Sequence, residues 1–367
     1  MKSNYLSYIL CLLILFSCKN PLPSPKPEEL YDRFEKSVVL IQNKYYYEIE
    51  LNTGVIKYFT GFYQGELQNS TYKKEEIIEN SNIAYGTGFF VTKDGLIATN
   101  RHVVSPEINE ADILNKLKTD LDKEVFQMET MITAKKREID DIDDLLYYYY
   151  DRLSYSDIRE LETKKAELNN EREFWSEVRT KFDFNPNKSK VRLVVLNLSI
   201  AYNNTYVTKD EDYSECVLKS INETPEIDIA LIQLKNKVTP KFVENIFDFE
   251  DHNPNIENGT MEGFEQYNLN NSLKIDKKVY MIGFNHGPSI ANTEDGLKAQ
   301  LTQGTVSQES DKRRVLYSIP SLEGSSGSPV IDEWGNLVAI NFAKVSGTQN
   351  FNYGIIAKHL KKLIEEN

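Results

Sequence analysis

Three short segments of the sequence carry the residue types of nucleophilic hydrolysis. In chain order they contain a histidine, an aspartate and a serine: His102, Asp228 and Ser326. An imidazole titrates near neutral pH, so it can take a proton from a serine hydroxyl and return it to a leaving amine, while a carboxylate fixes the imidazole tautomer. Each segment alone is common in chains of this size. The ordered set predicts a catalytic triad of Ser326, His102 and Asp228.

The surroundings of two of these residues support the prediction. Gly324 lies two residues before Ser326, where the absence of a side chain lets the backbone turn so that the N–H groups of Gly324 and Ser326 converge on a developing oxyanion. Asp228 begins an apolar run, where an unpaired carboxylate would be costly and needs a partner such as His102. His and Cys residues with metal-ligand spacing do not occur, so we expect no metal and no other cofactor.

Short runs of β-branched and aromatic residues, separated by turn residues, predict an all-β barrel architecture. The predicted strands lie at 37–42, 85–99, 191–199, 227–234, 278–284, 301–308, 315–319, 329–342 and 353–357.

One stretch, 109–182, departs from this pattern and predicts an inserted α-helical hairpin. Its apolar residues recur at three, four and seven positions, with a break and capping residues at 151–156. Two interpretations remain open for the apolar stripe: a seam between the two arms, or a contact surface for a partner or a second copy of the chain. The run Tyr147–Tyr150 near the tip favours contact, since exposed tyrosines suit interfaces.

The N-terminus predicts export and lipid anchoring. One positive charge precedes the apolar run 6–16, which is too short to span a bilayer, and Cys18 follows in a context similar to a bacterial lipobox. We therefore expect a lipoprotein signal peptide at 1–17, a diacylated Cys18, a Pro-rich tether at 18–29 and a protease domain at 30–367. The expected location is the bacterial cell envelope, at the periplasmic face or the cell surface.

Composition argues against a nucleic-acid partner and against an intrachain disulfide. The chain has 367 residues, of which 40% are hydrophobic and 27% charged, and its net charge is −13 at pH 7. This charge would repel a polyanion, so nucleic acid is not an expected partner. Once Cys11 leaves with the signal and Cys18 carries lipid, Cys216 stands alone and no intrachain disulfide is expected.

The sequence resembles the trypsin-like superfamily and, more closely, the HtrA/Deg-type bacterial proteases. Besides the triad segments, the resemblance rests on 34–41, 86–91, 281–284 and 301–307. It implies a chymotrypsin-like fold of two six-stranded antiparallel β-barrels with the site in the crevice between them. His102 and Asp228 would come from the first barrel and Ser326 from the second.

The sequence also departs from this family pattern. Ser328 stands where HtrA proteases have Gly and is similar to glutamyl-endopeptidase-type members, and Ser325 replaces the Asp that pairs with a new N-terminus in zymogen-activated enzymes. Activation by N-terminal insertion is therefore not expected. The segment 42–83 corresponds to a long first-hairpin loop in such relatives. The residues after Ser326 suffice to finish the second barrel and a terminal helix, so a PDZ domain is not expected.

The predicted specificity pocket has no acidic residue at its base, which argues against a preference for Arg or Lys. Small or medium apolar side chains before the scissile bond are expected, although Lys344 could instead attract an acidic one. The pocket residues are Pro320, Phe342, Ala343, Lys344 and Gly354.

The leading hypothesis is a membrane-anchored serine endopeptidase that hydrolyses exported or envelope proteins through an acyl-enzyme intermediate. The alternative is a catalytically degenerate scaffold or binding lipoprotein that acts through its helical hairpin. An esterase-like or self-processing role shares the same chemistry.

Overall fold

The computed structural model describes residues 22–254, 273–344 and 351–367, with Ala343 and Lys344 described by their backbone only. The predicted signal peptide, Cys18 and the first part of the predicted tether lie outside these residues. Within the described ranges, no helix combines the length and apolar character that crossing a bilayer requires.

The helices are numbered here in chain order. They are α1 Pro27–Phe34, α2 Lys74–Glu79, α3 Arg101–Val104, α4 Glu110–Tyr149, α5 Tyr155–Thr180, α6 Pro288–Ala291 and α7 Ala357–Glu365. The strands are β1 Val38–Glu50, β2 Ile56–Phe59, β3 Gly61–Tyr63, β4 Glu66–Gln68, β5 Asn82–Phe90, β6 Leu96–Thr99, β7 Val191–Tyr202, β8 Ser214–Ile221, β9 Ala230–Leu234, β10 Lys278–Gly283, β11 Asn292–Thr293, β12 Gly296–Leu297, β13 Gln300–Gln308, β14 Arg314–Tyr317, β15 Pro329–Asp332, β16 Leu337–Lys344 and β17 Asn352–Ile356.

The larger strands form two closed six-stranded antiparallel barrels, as predicted. The first follows the order β1-β5-β6-β9-β8-β7 and closes through pairing of β1 with β7, with β2 added beside β1. The second follows the order β10-β13-β14-β17-β16-β15 and closes between β10 and β15. The class "all-β" is nevertheless too narrow. Helix α4 alone has 40 residues and α5 has 26, because the insertion carries a helical rather than a strand periodicity.

By contacts the chain divides into two compact units. One contains the described residues up to Gln42 together with 85–104 and 199–367, and therefore includes the whole second barrel. In it, α1 buries Leu30 and Phe34, and the Phe34 ring stacks on Phe247 with centroids 4.5 Å apart. This helix begins at Pro27, three residues before the predicted start of the domain, because proline suits a first helical turn.

The other unit contains 43–84 and 105–198. The segment 42–83, predicted as a long first-hairpin loop, contains regular structure: β1 continues to Glu50, and β2, β3, β4 and α2 precede β5, the barrel neighbour of β1. Alternating Tyr47 and Ile49 bury one face of β1 against Ile113 and Leu117 of α4, and this burial extends the strand. In the helical hairpin, α4 and α5 enclose a small apolar cluster of Ile139, Ile142 and Leu168.

Candidate active site

His102 and Asp228 lie against each other because the strands that carry them are paired. Thr99 at the end of β6 is opposite Ala230 at the start of β9, so the residues just beyond these two ends meet. His102 Nδ1 is 2.5 Å from Asp228 Oδ2, and the backbone N–H of His102 donates to Asp228 Oδ1 at 3.0 Å. One carboxylate therefore holds both the ring and the main chain of the same histidine.

This contact fixes the state of the imidazole. An ionised carboxylate only accepts hydrogen bonds, so in the neutral imidazole Nδ1 of His102 carries the proton and Nε2 is an acceptor. The Asp228 side chain is 13% exposed while that of His102 is 42% exposed, so the histidine is open to a substrate and the aspartate is not. The Asn100 side chain donates to the Asp228 carbonyl at 2.8 Å and fixes the main chain at that point.

Ser326 lies in a tight turn between two glycines: Gly324, two residues before it, and Gly327, directly after it. Gly324 has φ +92° and Gly327 has φ +86°, a backbone region that L-residues with side chains rarely adopt. A Cβ atom at Gly327 would lie 2.2 Å from the Thr87 carbonyl oxygen and 2.4 Å from Thr99 Oγ1. The Ser326 carbonyl accepts from the Thr87 N–H at 2.8 Å. The turn is therefore pressed against β5 and against the end of β6 that leads to His102.

The predicted oxyanion-binding amides belong to Gly324 and Ser326. Within the described part of the chain, neither N–H donates to a protein acceptor. These two backbone N–H groups are therefore available to donate to a developing negative oxygen.

The comparison with protein families gives one match. Residues 190–340 match the family model described as "Trypsin-like peptidase domain". The match spans less than half of the chain. It places a trypsin-like peptidase domain within that range, and the protein is a serine protease. The matched range includes Asp228 and Ser326, whereas His102 precedes it and joins Asp228 only in the folded chain.

A solved structure provides a second comparison. The chain is similar to a structure described as the serine endoprotease from Yersinia pestis, at 13% identity and a TM-score of 0.42, over 94% of this chain and 67% of the other. A TM-score this low does not establish a common fold, so the two barrels rest on their own strand pairings. No curated protein matches the sequence significantly.

Beneath the Ser326 turn, the peptidase domain contains a buried polar network that the sequence did not predict. Asn341 Nδ2 donates to the Ser325 carbonyl at 3.0 Å and to Ser321 Oγ at 3.1 Å, and Asn341 Oδ1 accepts from the Tyr317 hydroxyl at 2.8 Å. Complete burial raises the pKa of Tyr317 well above its ordinary value. A lone asparagine within the apolar strand β16 is the sequence signal for such a network.

The residues predicted to line the specificity pocket have different environments. Pro320 is exposed, and Phe342 packs partly buried against the apolar core. Gly354 is buried and paired with Asn341, and a Cβ atom there would lie 2.9 Å from Tyr317 Cε1. The side chains of Ala343 and Lys344 lie outside what the structure describes. The structure therefore brings Gly354 to the buried network and places Phe342 on the core.

Two further observations concern metal-ligating side chains and the free thiol. None of the described residues form a group of three or more His, Cys, Asp or Glu side chains that could hold a metal ion. Burial raises the pKa of the Cys216 thiol to about 12, so this thiol stays protonated and is a poor nucleophile at neutral pH.

Proposed function

We propose that this protein is a membrane-anchored serine endopeptidase that hydrolyses peptide bonds of exported or envelope proteins. Ser326 is the nucleophile, His102 the general base and acid, and Asp228 the carboxylate that orients His102. The observation that carries the proposal is the two-point contact of Asp228 with the ring and the main chain of His102. This contact leaves Nε2 of the imidazole free for the serine proton.

The reaction has two halves. Ser326 Oγ attacks the carbonyl carbon as its proton moves to His102 Nε2, and the amides of Gly324 and Ser326 bind the oxyanion. The C–N bond then breaks, and the departing amine takes the proton from His102, which leaves an ester on Ser326. Water attacks this ester, gives its proton to His102, and the acid leaves as the proton returns to Ser326 Oγ. In each half Asp228 stabilises the imidazolium.

A direct test of the nucleophile uses a fluorophosphonate probe and casein as substrate. The wild-type protein is expected to become labelled and to cleave casein, while Ser326→Ala does neither and keeps its melting temperature. Ser156→Ala, an exposed serine of the helical hairpin, is the control and is expected to behave as wild type. Labelling or cleavage by Ser326→Ala would contradict the assignment. A wild-type protein that does not react would favour the scaffold alternative.

Substrate preference follows from the absence of an acidic residue among the proposed pocket residues. We expect cleavage after small or medium apolar side chains, measured as the cleavage profile of a peptide library. A profile dominated by Arg or Lys would contradict this expectation.

Anchoring is proposed through two acyl chains on Cys18, which bury enough methylene groups to hold a protein stably at a membrane. The proposal rests on the apolar run and the cysteine context of the sequence. Metabolic labelling with an alkynyl fatty acid is expected to mark the wild-type protein and not Cys18→Ala. Equal labelling of both proteins would contradict lipidation at this residue.

The tip of the helical hairpin is proposed as a contact surface for a partner or a second copy. Tyr147, Tyr148 and Tyr155 are 80%, 70% and 81% exposed, which is unusual for aromatic side chains. Tyr155 also lines an open groove of about 960 Å³ that includes Leu145 and Leu153. A chain with all three tyrosines replaced by Ser is expected to lose partner or self-association, measured by analytical ultracentrifugation and crosslinking, and to keep its labelling rate.

A further inference from the structure

Thr87 is a fully buried residue of β5 that bonds to the Ser326 turn from two directions. Its Oγ1 donates to the Gly324 carbonyl at 2.9 Å and accepts from the Phe284 N–H at 3.0 Å. Its backbone N–H donates to the Ser326 carbonyl at 2.8 Å. A single threonine thus holds the carbonyl groups of both residues whose amides would bind the oxyanion.

The peptide before Gly324 is held from the other side. The Glu323 carbonyl accepts from the His286 N–H at 2.5 Å. In a trans peptide the C=O and N–H groups point in opposite directions, so this bond directs the Gly324 N–H away from His286. Leu322 N–H donates to Asn285 Oδ1 at 3.3 Å, so the turn 284–287 holds two peptides of the loop, 321–322 and 323–324.

Gly324 would otherwise rotate with little cost. A glycine populates both signs of φ, so the peptide on either side of it can flip unless its carbonyl is held. A Cβ atom at Gly324 would lie 2.5 Å from the Gly287 nitrogen and 2.6 Å from the Phe284 carbonyl oxygen, so the turn 284–287 packs directly on the Gly324 backbone. Thr87 Oγ1 joins this turn to the Gly324 carbonyl.

We propose that Thr87 is the positioning residue of the oxyanion site. Its hydroxyl bonds to the Gly324 carbonyl and to the Phe284 N–H, and so holds the turn 284–287 where the His286 N–H fixes the peptide that carries the Gly324 N–H. This keeps the Gly324 N–H directed toward the developing oxyanion. The inference rests on the proposed function of Ser326. Thr87 touches no reacting atom and acts through Gly324.

The same bonding pattern elsewhere in the unit provides a matched control. Thr239 is also buried, its Oγ1 donates to the Thr92 carbonyl at 2.7 Å and it accepts from the Gly95 N–H at 3.1 Å. Thr87→Val and Thr239→Val each keep the side-chain shape and leave one buried N–H and one buried carbonyl without that partner. Thr87→Ser keeps the hydroxyl and both bonds. The three variants separate lost stability from lost positioning.

The measurement is the second-order rate constant for fluorophosphonate labelling of the full-length protein, because the phosphonyl oxygen gains negative charge at the oxyanion site. Loss of one oxyanion donor costs about 10²–10³ in rate, and a misdirected donor should cost less. We expect Thr87→Val to label about 10- to 100-fold more slowly, Thr87→Ser within about threefold of wild type, and Thr239→Val within about twofold. With casein, the Thr87→Val loss should appear in kcat and not in KM.

Several outcomes would overturn the inference. One is that Thr87→Val labels as fast as Thr239→Val although the two variants lose similar melting temperature. Another is that Thr87→Ser labels as slowly as Thr87→Val. If Thr87→Val does not fold, Thr87→Ala removes the hydroxyl without placing a methyl group against the Phe284 N–H, and it carries the same expectation. No labelling of the wild-type protein would contradict the proposed function and the positioning role together. Labelling that does not differ among the variants would contradict the positioning role alone.

Discussion

The Ser326 turn and the helical hairpin use polar contacts in opposite ways. Around the turn, the bonded side chains of Thr87 and Asn341 are 0% and 1% exposed. Along the hairpin, Arg179 binds Glu129 at 2.9 Å, and the two side chains are 47% and 52% exposed. A buried polar group that loses its partner pays its full desolvation cost, whereas an exposed ion pair exchanges its partner for water. Buried bonds therefore fix the geometry of the turn, and the hairpin tolerates change.

The contrast extends to apolar side chains. The unit with the Ser326 turn buries large side chains such as Phe284 and Tyr317, while the distal hairpin buries only a small cluster around Leu168 and exposes the tyrosines of its tip. A region that must hold donors within tenths of an ångström needs dense packing. A region that only has to present its tip to a partner does not need dense packing.

The largest expected effect is on catalysis, through the orientation of His102. Asp228→Asn should lower kcat by about 10⁴, because an amide N–H facing Nδ1 would favour the wrong imidazole tautomer. The amide oxygen can still accept from the His102 backbone N–H, so the melting temperature should change little. Casein hydrolysis by the purified variant measures the effect. A loss of less than tenfold would mean that Asp228 does not orient His102.

A second prediction concerns backbone fit. Gly327→Ala should destabilise the protein by about 3 kcal/mol or more. The new Cβ atom would collide with the Thr87 carbonyl oxygen, and the alanine would also have to adopt a strained positive φ. Gly54 in the other unit has φ +81° with nothing within 4 Å, so Gly54→Ala should cost only about 1–2 kcal/mol of backbone strain. Thermal unfolding of both variants compares them. Equal losses would show that the turn is no more tightly packed than an open loop.

The third prediction tests a buried hydroxyl. Tyr317→Phe leaves Asn341 Oδ1 without its donor and should cost about 1–3 kcal/mol of stability at pH 8. Burial raises the pKa of Tyr317, so its stabilising contribution is present below the pKa of an unfolded phenol, about 10, and is lost as pH rises above it. The melting temperatures of the two proteins should therefore converge above pH 10. A gap that stays constant up to pH 11 would contradict this assignment.

The sequence predicted the parts of this molecule that depend on periodicity. The strands of a β-barrel and the hairpin follow from the spacing of apolar residues, and Asn109 and Ser154 cap α4 and α5 where the pattern begins. The division into two six-stranded barrels was implied by the resemblance to trypsin-like proteases. Strand β8 was not predicted, because Cys216 is its only buried apolar residue and no alternation stands out. The strands within 42–83 were missed because their packing surface is the distant helix α4, which local pattern does not reveal.

The site was predictable in its residue types and not in its supports. The triad residues remain a prediction as catalysts, and the structure adds the contact between His102 and Asp228. In the sequence, Thr87 cannot be distinguished from other strand residues, because its role depends on bonds to residues 197 and 237 positions away. Side chains that position a loop across such distances leave no local signature, and only the fold identifies them.

The smallest expected effect completes the comparison of the two regions. Arg179→Gln removes an exposed ion pair of the hairpin and should change the free energy of unfolding by no more than about 0.5 kcal/mol. Tyr317→Phe also removes a single polar partner, but its expected loss is larger because that partner is buried. Any difference between Arg179→Gln and wild type should disappear in 1 M NaCl, because salt screens exposed charges. Melting temperatures at low and high salt measure both effects. A loss as large as that of Tyr317→Phe would mean that exposure does not decide how much each polar contact stabilises this protein.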